Sequence, residues 1–367
     1  MSSKVSVIVP VYNCEKLVNR SLEKLTNQTL KDIEIICVND GSTDGSLEIL
    51  EAWAKKDKRI KIVNQKNGGL SSARNTGIKN ANSSYLMFCD ADDEFDNEMC
   101  EIMVQAIERE KVDIVACGTE VEYDAHSEIA ESDKNYYRIK FFGKNYINEA
   151  ITLQTDVSVC DKLFKAEIVR KYKIAFPDKL NNEDYYFYNA YMSVAKTIFF
   201  VNRKLYTYIR HENSIMSENF DKQSYSPDHL LVVKELFNFY KKHGFLEKHI
   251  DFFWNQFSES YWFSYEHSAR KFHGEIHKIA KDFIIKNIEK YQINNPKVKK
   301  KIFIILRNDL VHKIIRGVKV KMSRIYRKIN IAYKQQDFIN KNIEQLEQNV
   351  YDMSEKVNEV EGELDGN

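Results

Sequence analysis

Short apolar runs alternate with segments of helical spacing over the first third of the chain. The runs are Val5 to Val11, Ile33 to Val38, Ile60 to Val63, Tyr85 to Cys89 and Asp113 to Cys117. Each has the length and β-branched composition of a buried strand. Strands that alternate with helices form parallel βαβ units, because parallel neighbours need a long crossover connection. The pattern therefore predicts an α/β fold.

Polar residues follow the first two runs, at the sheet edge where open α/β folds bind ligands. Pro10 and Tyr12 end the first run, and Asp40 follows the second and precedes Gly41. A carboxylate there can accept a hydrogen bond from a base or a ribose, and glycine permits a tight turn. Taken alone, the Asp40 segment also fits a plain strand-to-helix turn.

Paired glycines precede the third predicted helix. Asn67, Gly68 and Gly69 come before it, and Arg74 lies near its start. Glycine lets backbone amides approach a phosphate, and Arg74 could bind the same group through paired N–H donors. The spacing differs from the dinucleotide-binding fingerprint, so no nicotinamide site is predicted. A surface turn followed by a solvated arginine is the alternative.

The fourth run ends abruptly in acidic residues. Asp90, Ala91 and Asp92 place two carboxylates on the same side of an extended chain. Two such groups suit a hard divalent cation that bridges a diphosphate, and Asp92 is the predicted metal ligand. An EF-hand loop is disfavoured, because Phe95 occupies its glycine position and a strand precedes the loop.

Two later segments carry the remaining candidates. Asp184 stands beside Glu183 at a predicted helix start, where a carboxylate can act as a general base or simply cap the helix. Arg210 and His211 follow a strand, and His211 is predicted to bind a metal or a diphosphate, with a structural histidine as the alternative.

In this order the segments resemble the family 2 glycosyltransferases with the GT-A fold, over residues 3–216. The matching features are Ser6 to Asn13, Val38 to Asp44, Asn67 to Gly69 with Ala73 to Asn75, Asp90 to Asp93, Glu183 with Asp184, and Tyr208 to Ser214. The resemblance implies a Rossmann-like nucleotide-binding domain with a mixed central sheet. It also implies inverting transfer from a nucleotide-sugar, usually a UDP-sugar, with Mn²⁺ or Mg²⁺ as cofactor.

The resemblance assigns roles to individual residues. Asp40 would contact the nucleobase, Asp90 would lie near the ribose, Asp92 would hold the metal on the diphosphate, and Asp184 would be the base. Lys162 would help to shape the donor or acceptor pocket. The residues implied in nucleotide-sugar binding are Pro10, Tyr12, Asp40, Asn67, Gly68, Arg74, Asp90, Ala91, Asp92, Lys162 and Arg210.

The sequence predicts three regions: a GT-A domain at 1–217, a helical region at 218–310 and a coiled coil at 311–367. In the last region apolar residues recur at alternating steps of four and three. β-Branched residues at both seam positions favour a trimer or larger homo-oligomer over a parallel dimer. A long helix that folds back on its own domain is the alternative.

Charge is segregated near the C-terminus. Between Lys297 and Lys334 there are 13 Lys or Arg and one acidic residue, whereas residues 335–367 hold nine acidic and two basic ones. A basic helix could lie on an anionic membrane and bring the site to a lipid-linked glycan, or its lysines could face solvent. The formal net charge of +1 offers no general reason to bind nucleic acid.

The predicted location is cytoplasmic, with peripheral contact at the inner face of the cytoplasmic membrane. No signal peptide and no apolar stretch of about 20 residues is recognised. Two competing functions are a sugar nucleotidyltransferase, whose glycine-rich first loop is missing, and a non-catalytic GT-A scaffold, which intact Asp92 and Asp184 disfavour.

Overall fold

A computed structural model describes residues 3–123, 140–210 and 227–307. The chain divides into two compact units, Met1–Ile302 and Phe303–Asn367, and the fold below is that of the first. The predicted GT-A domain and most of the predicted helical region share this unit. The predicted coiled coil and His211 lie outside the described residues and stay predictions.

The described residues of the chain form nine strands in one sheet. The strands are β1 (Val5–Val11), β2 (Ile33–Asn39), β3 (Ile60–Asn64), β4 (Tyr85–Phe88), β5 (Glu94–Phe95), β6 (Ile114–Tyr123), β7 (Gly143–Tyr146), β8 (Lys162–Lys165) and β9 (Thr197–Arg210). Their order is β3-β2-β1-β4-β8-β6-β9-β5, and β7 also pairs with β9. Strands β1 to β4 are parallel neighbours, whereas β8 is antiparallel to both β4 and β6. The sheet is therefore mixed, as predicted.

Helices cover the sheet and continue beyond it. They are α1 (Val18–Thr26), α2 (Ser46–Lys56), α3 (Leu70–Asn80), α4 (Met99–Glu110), α5 (Glu149–Gln154), α6 (Ala166–Tyr172), α7 (Glu183–Val194), α8 (Asp228–Lys242), α9 (Ile250–His267), α10 (His273–Asn287) and α11 (Pro296–Leu306). The predicted span of α7 is confirmed at both ends. In the described part of the chain, no helix is long and apolar enough to cross a bilayer.

Two segments differ from the sequence prediction. The spacing predicts a helix from Val157 to Lys171, but residues Lys162–Lys165 form β8 and α6 begins only at Ala166. A short apolar run fits a buried helix or a buried strand equally well, and the open position between β4 and β6 decides in favour of a strand. The two strands predicted between Thr197 and Ile209 form one continuous β9.

The carboxyl ends of β1, β2 and β4 meet at one edge of the sheet. The Asp40 amide donates to the Val11 carbonyl at 2.9 Å, and the Cys89 amide donates to the Ile8 carbonyl at 3.0 Å. Helix α3 lies so close to β1 that a Cβ at Gly77 would overlap the Ile8 side chain. This close approach brings the first turns of α3 to the same edge.

Helices α8 and α9 pack against α7. The Asn181 side-chain amide donates to Asp228 Oδ2 at 2.8 Å, and Gln256 Nε2 donates to Asn189 Oδ1 at 2.7 Å. Aromatic rings such as Phe253 fill the space between α8, α9 and α10. The helical region therefore supports α7, whose second residue is the predicted base.

Candidate active site

A buried arginine lies at the centre of the candidate site. Arg74 is 2% exposed; its Nη2 donates to Asp90 Oδ1 at 2.8 Å, and its Nη1 donates to Glu183 Oε1 at 2.7 Å and to Asp184 Oδ1 at 2.6 Å. One guanidinium on α3 thus joins the end of β4 to the start of α7. The sequence suggests a phosphate partner for Arg74, but its terminal nitrogens donate to carboxylates.

Aromatic rings form the floor beneath this arginine. The Arg74 guanidinium carbon lies 5.3 Å from the centre of the Phe176 ring, which stacks on Phe187 at 4.4 Å. The Asn75 side chain donates to the Phe176 carbonyl and accepts from the Phe176 amide, both at 2.8 Å. An apolar floor of this kind strengthens the ion pairs above it, because it excludes water from one side.

Asp184 is a carboxylate with an upward-shifted pKa. Its side chain is 23% exposed, and Oδ2 accepts a hydrogen bond from the Val159 amide at 3.2 Å. Burial raises the pKa of Asp184 to about 7; Arg74 opposes this shift, while Glu183 and Asp90 add to it. A carboxylate with such a pKa can accept a proton near neutral pH, which is what a general base requires.

The acidic turn after β4 is anchored by its third aspartate. Asp93 is buried, and it accepts hydrogen bonds from the Tyr206 hydroxyl and, at 2.8 Å, from the Ile209 amide. Burial, together with Asp92 and Asp90, raises the pKa of Asp93 well above its usual range. This anchor ties the turn to β9 and leaves Asp90 and Asp92 partly exposed.

Asp92, the predicted metal ligand, is more accessible to solvent than Asp93. Mg²⁺ is usually held by one or two carboxylates together with substrate phosphates, so a site need not be complete without the donor. Asp92 is partly exposed, whereas Asp93 is buried and ties the turn to β9. Over the described ranges, no three His, Cys, Asp or Glu side chains are grouped to hold a metal.

Asp40 closes the turn that contains the paired glycines. It is 3% exposed; Oδ1 accepts from the Gly68 amide at 2.8 Å and from Gln65 Nε2 at 2.6 Å, while Oδ2 accepts from the Gly69 amide at 2.8 Å. The two glycine amides thus donate to Asp40, not outward to a phosphate position. A Cβ at Gly41 would lie 2.8 Å from the Asn67 nitrogen, so the two loops touch here.

The other predicted residues differ in their access to solvent. Tyr12 is 49% exposed just beyond β1, and Asn67 is also exposed. Pro10 and Ala91 are buried, and their main chain lies at the edge of the site. Arg210 is the last residue of β9.

Lys162 is fully buried within β8. Its Nζ donates to the Ser158 carbonyl and to Asp161 Oδ1, both at 2.6 Å. Both of these partners are groups of the protein itself.

Three contacts at the site were not predicted from the sequence. The Val159 amide binds Asp184, the Cys160 sulfur lies 3.7 Å from Asp90 Oδ2, and Phe176 forms part of the floor. Each depends on a contact between distant segments. Glu183 is different, since its place beside Asp184 at a helix start is visible in the sequence.

The site can be compared with those of known proteins. Residues 6–173 match the family model for glycosyl transferase family 2. GlyG, a glycosyltransferase of Streptococcus pneumoniae serotype 4, is 32% identical over 237 residues, which are 60% of this chain and 75% of GlyG. The chain belongs to glycosyl transferase family 2. Its resemblance to this family, inferred from the ordered polar segments, is confirmed.

A second relative matches more strongly over a shorter segment. EpsJ of Bacillus subtilis (strain 168), described as an uncharacterized glycosyltransferase, is 51% identical over 114 residues. The matched segment is 31% of this chain and 33% of EpsJ, so the chain spans about a third of the length of that relative.

A solved structure confirms the fold. S. aureus TarS residues 1–349, in complex with UDP, superposes with a TM-score of 0.63 at 20% identity. The match covers 86% of this chain and 91% of that chain. The chain therefore has the predicted GT-A fold, with the carboxyl ends of its parallel strands at the candidate site.

Proposed function

We propose that this chain is an inverting glycosyltransferase. It moves a sugar, a hexose or N-acetylhexosamine, from a UDP-sugar to a hydroxyl of a saccharide or lipid-linked glycan. The observation that carries the proposal is the geometry of Asp184, a partly exposed carboxylate that Arg74 holds beside Asp90 of the acidic turn. The UDP bound to TarS supports a uridine nucleotide donor.

The chemistry follows from one base and one leaving group. Asp184 accepts the proton of the acceptor hydroxyl, the oxygen of that hydroxyl bonds to the anomeric carbon, and the bond from that carbon to the diphosphate breaks. Inversion results because the new bond forms opposite to the one that breaks. Nucleoside diphosphate leaves with the electron pair, so no nucleophilic side chain is needed.

Arg74 aligns the two halves of this reaction. It holds Asp184 on the acceptor side and Asp90 on the donor side through one rigid guanidinium. Alignment of reacting groups contributes strongly to catalysis, because it removes the entropic cost of bringing them together. The donor pocket would lie at the end of β2, with Tyr12 and Arg210 among its proposed residues. Asp40, predicted to contact the nucleobase, already accepts hydrogen bonds through both oxygens from Gln65 and the two glycine amides, so it would shape the pocket through the glycine turn.

A divalent cation would complete the donor side. When bound by Asp92, Mn²⁺ or Mg²⁺ would neutralise the charge that develops on the departing diphosphate. His211 is proposed as a second ligand of the cation or the diphosphate.

The proposal is tested by incubating the purified chain with a panel of nucleotide-sugars and Mn²⁺, and measuring nucleotide release with and without candidate glycans. We expect one UDP-sugar to be turned over and its sugar to be transferred to an acceptor. Binding of a nucleotide-sugar without any turnover would favour a non-catalytic scaffold. Formation of a nucleotide-sugar from a sugar phosphate would instead favour a nucleotidyltransferase.

Metal removal should nearly abolish transfer. We expect a chelator, or Asp92→Asn, to reduce turnover at least about 10²-fold, because the leaving diphosphate then departs without charge neutralisation. Added Mn²⁺ should restore the turnover of the chelated wild-type protein but not that of the variant. Asp32→Asn changes an exposed aspartate at the opposite edge of the sheet and should have no effect. Full activity of the chelated wild-type protein would contradict the assignment.

The C-terminal tail adds a separate proposal about assembly. Residues 311–367 would join copies of the chain as a coiled coil, and the basic stretch before Lys334 would contact an anionic membrane. A chain that ends at Asp309 should then be monomeric in light scattering. The same oligomer for truncated and full-length protein would remove the coiled coil.

A further inference from the structure

Lys162 is a buried charged residue, and its burial costs free energy of folding that its contacts must offset. Its side chain is 0% exposed and lies 5.3 Å from the centre of the Tyr188 ring. Burying a lysine is expensive unless its ammonium group is paired and hydrogen-bonded. Here Asp161 supplies the opposite charge at 2.6 Å, and the Ser158 carbonyl accepts a second hydrogen bond at 2.6 Å.

The second of these contacts holds a tight segment, residues 158–160, which we name the 158–160 turn. The Cys160 amide donates to Ser158 Oγ at 3.2 Å within the turn, and the Ser158 amide donates to Asp156 Oδ1, just before the turn, at 2.8 Å. The turn lies between the two sides of the candidate site. Its Val159 amide donates to Asp184 Oδ2 at 3.2 Å, and its Cys160 sulfur lies 3.7 Å from Asp90 Oδ2.

We propose that Lys162 is a positioning residue, which holds the 158–160 turn so that the Val159 amide orients the carboxylate of Asp184. The inference rests on the proposed role of Asp184 as the base in glycosyl transfer. Because its side chain is fully buried, Lys162 would act only through the main chain of the turn.

The geometry explains why one amide matters. Arg74 binds one oxygen of Asp184 and the Val159 amide binds the other, so together they fix the plane of the carboxylate. Each oxygen keeps a lone pair with which it can accept a proton. If the turn moved, the carboxylate could rotate about Arg74, and a displacement of about 1 Å can cost about 10²-fold in rate.

The same amide favours the charged form of Asp184. The other charged groups around it are Arg74 on α3, Glu183 on α7 and Asp90 after β4. Arg74 lowers the pKa of Asp184, while Glu183 and Asp90 raise it. Loss of the Val159 hydrogen bond would raise this pKa further. Because the base works only when deprotonated, the acid limb of the rate profile would then move to higher pH.

Two variants test the proposal by different routes. The double variant Asp161→Asn with Lys162→Met removes both charges of the pair, so neither is left buried alone. Ser158→Ala removes the hydroxyl that binds the Cys160 amide and loosens the same turn without changing any charge. Ser193→Ala is the matched control, since its hydroxyl binds the Ala190 carbonyl on the same helix as Asp184, nine residues further along the chain.

The measurements are kcat, the KM of the donor, the pH of the acid limb and the midpoint of urea unfolding. For the double variant we expect kcat to fall about 10- to 10²-fold, with donor KM within about twofold of wild type. The acid limb should lie at higher pH than in the wild-type protein. Ser158→Ala should lower kcat and move the acid limb to higher pH, each by less than the double variant does. Ser193→Ala should leave kcat and the acid limb unchanged.

The outcomes separate a positioning role from a purely structural one. A lower unfolding midpoint with kcat and acid limb unchanged in the folded protein would overturn the proposal. If the double variant does not fold, Ser158→Ala decides alone, and an unmoved acid limb there would also overturn it. Wild-type protein without any transfer would instead refute the proposed function, and the role of Lys162 would fall with it.

Discussion

Asp184→Asn is expected to reduce glycosyl transfer by about 10²- to 10⁴-fold, because the amide cannot accept the proton of the acceptor hydroxyl. The fold should survive the change, since Arg74 keeps Asp90 and Glu183 as partners and the asparagine oxygen can still accept a hydrogen bond. Donor affinity should remain within about twofold of wild type, because the base acts on the acceptor. Turnover is measured by nucleotide release, and donor binding by calorimetry.

Asp178→Asn is the control for this variant. Asp178 is an exposed aspartate six residues earlier in the chain, and its replacement should leave turnover unchanged. Normal transfer by Asp184→Asn would show that another group deprotonates the acceptor. Glu183 would then be the next candidate, as it shares the same arginine.

Arg74→Met should damage both stability and activity. Removal of the guanidinium leaves Asp90, Glu183 and Asp184 close together without their shared cation, in a site with an apolar floor. Breaking a buried ion pair in this way costs about 3–5 kcal/mol in the free energy of unfolding. The pKa of Asp184 should also rise, so the acid limb of any residual activity should move to higher pH.

Urea unfolding and the pH dependence of turnover measure these two effects. Arg74→Lys should restore part of the stability, but a single ammonium group cannot reproduce the fork that binds three carboxylates. Arg59→Met is the control: Arg59 pairs with Asp57 near the far end of the sheet, so its loss should leave the acid limb in place. Stability and turnover within error of wild type for Arg74→Met would contradict the central role given to Arg74.

The accuracy of the sequence prediction depended on how local each feature is. The bounds of β1 and α7 were predicted as found, because apolar spacing and an acidic helix start are properties of neighbouring residues. β8 was missed, because four residues of Lys-Leu-Phe-Lys carry too little periodicity to distinguish a strand from a helix. Only its pairing with β4 and β6 decides the question.

The sequence by itself determined the α/β fold, the family and which polar segments lie at the carboxyl edge of the sheet. That edge follows from parallel strands, since strands running in one direction end on one side. The tertiary structure alone decided the partners of these polar groups. Arg74 binds carboxylates from residues 90, 183 and 184, Asp40 closes the glycine turn, and Lys162 lies buried behind the 158–160 turn. Such pairings join segments up to 110 residues apart, and no local pattern of the chain encodes them.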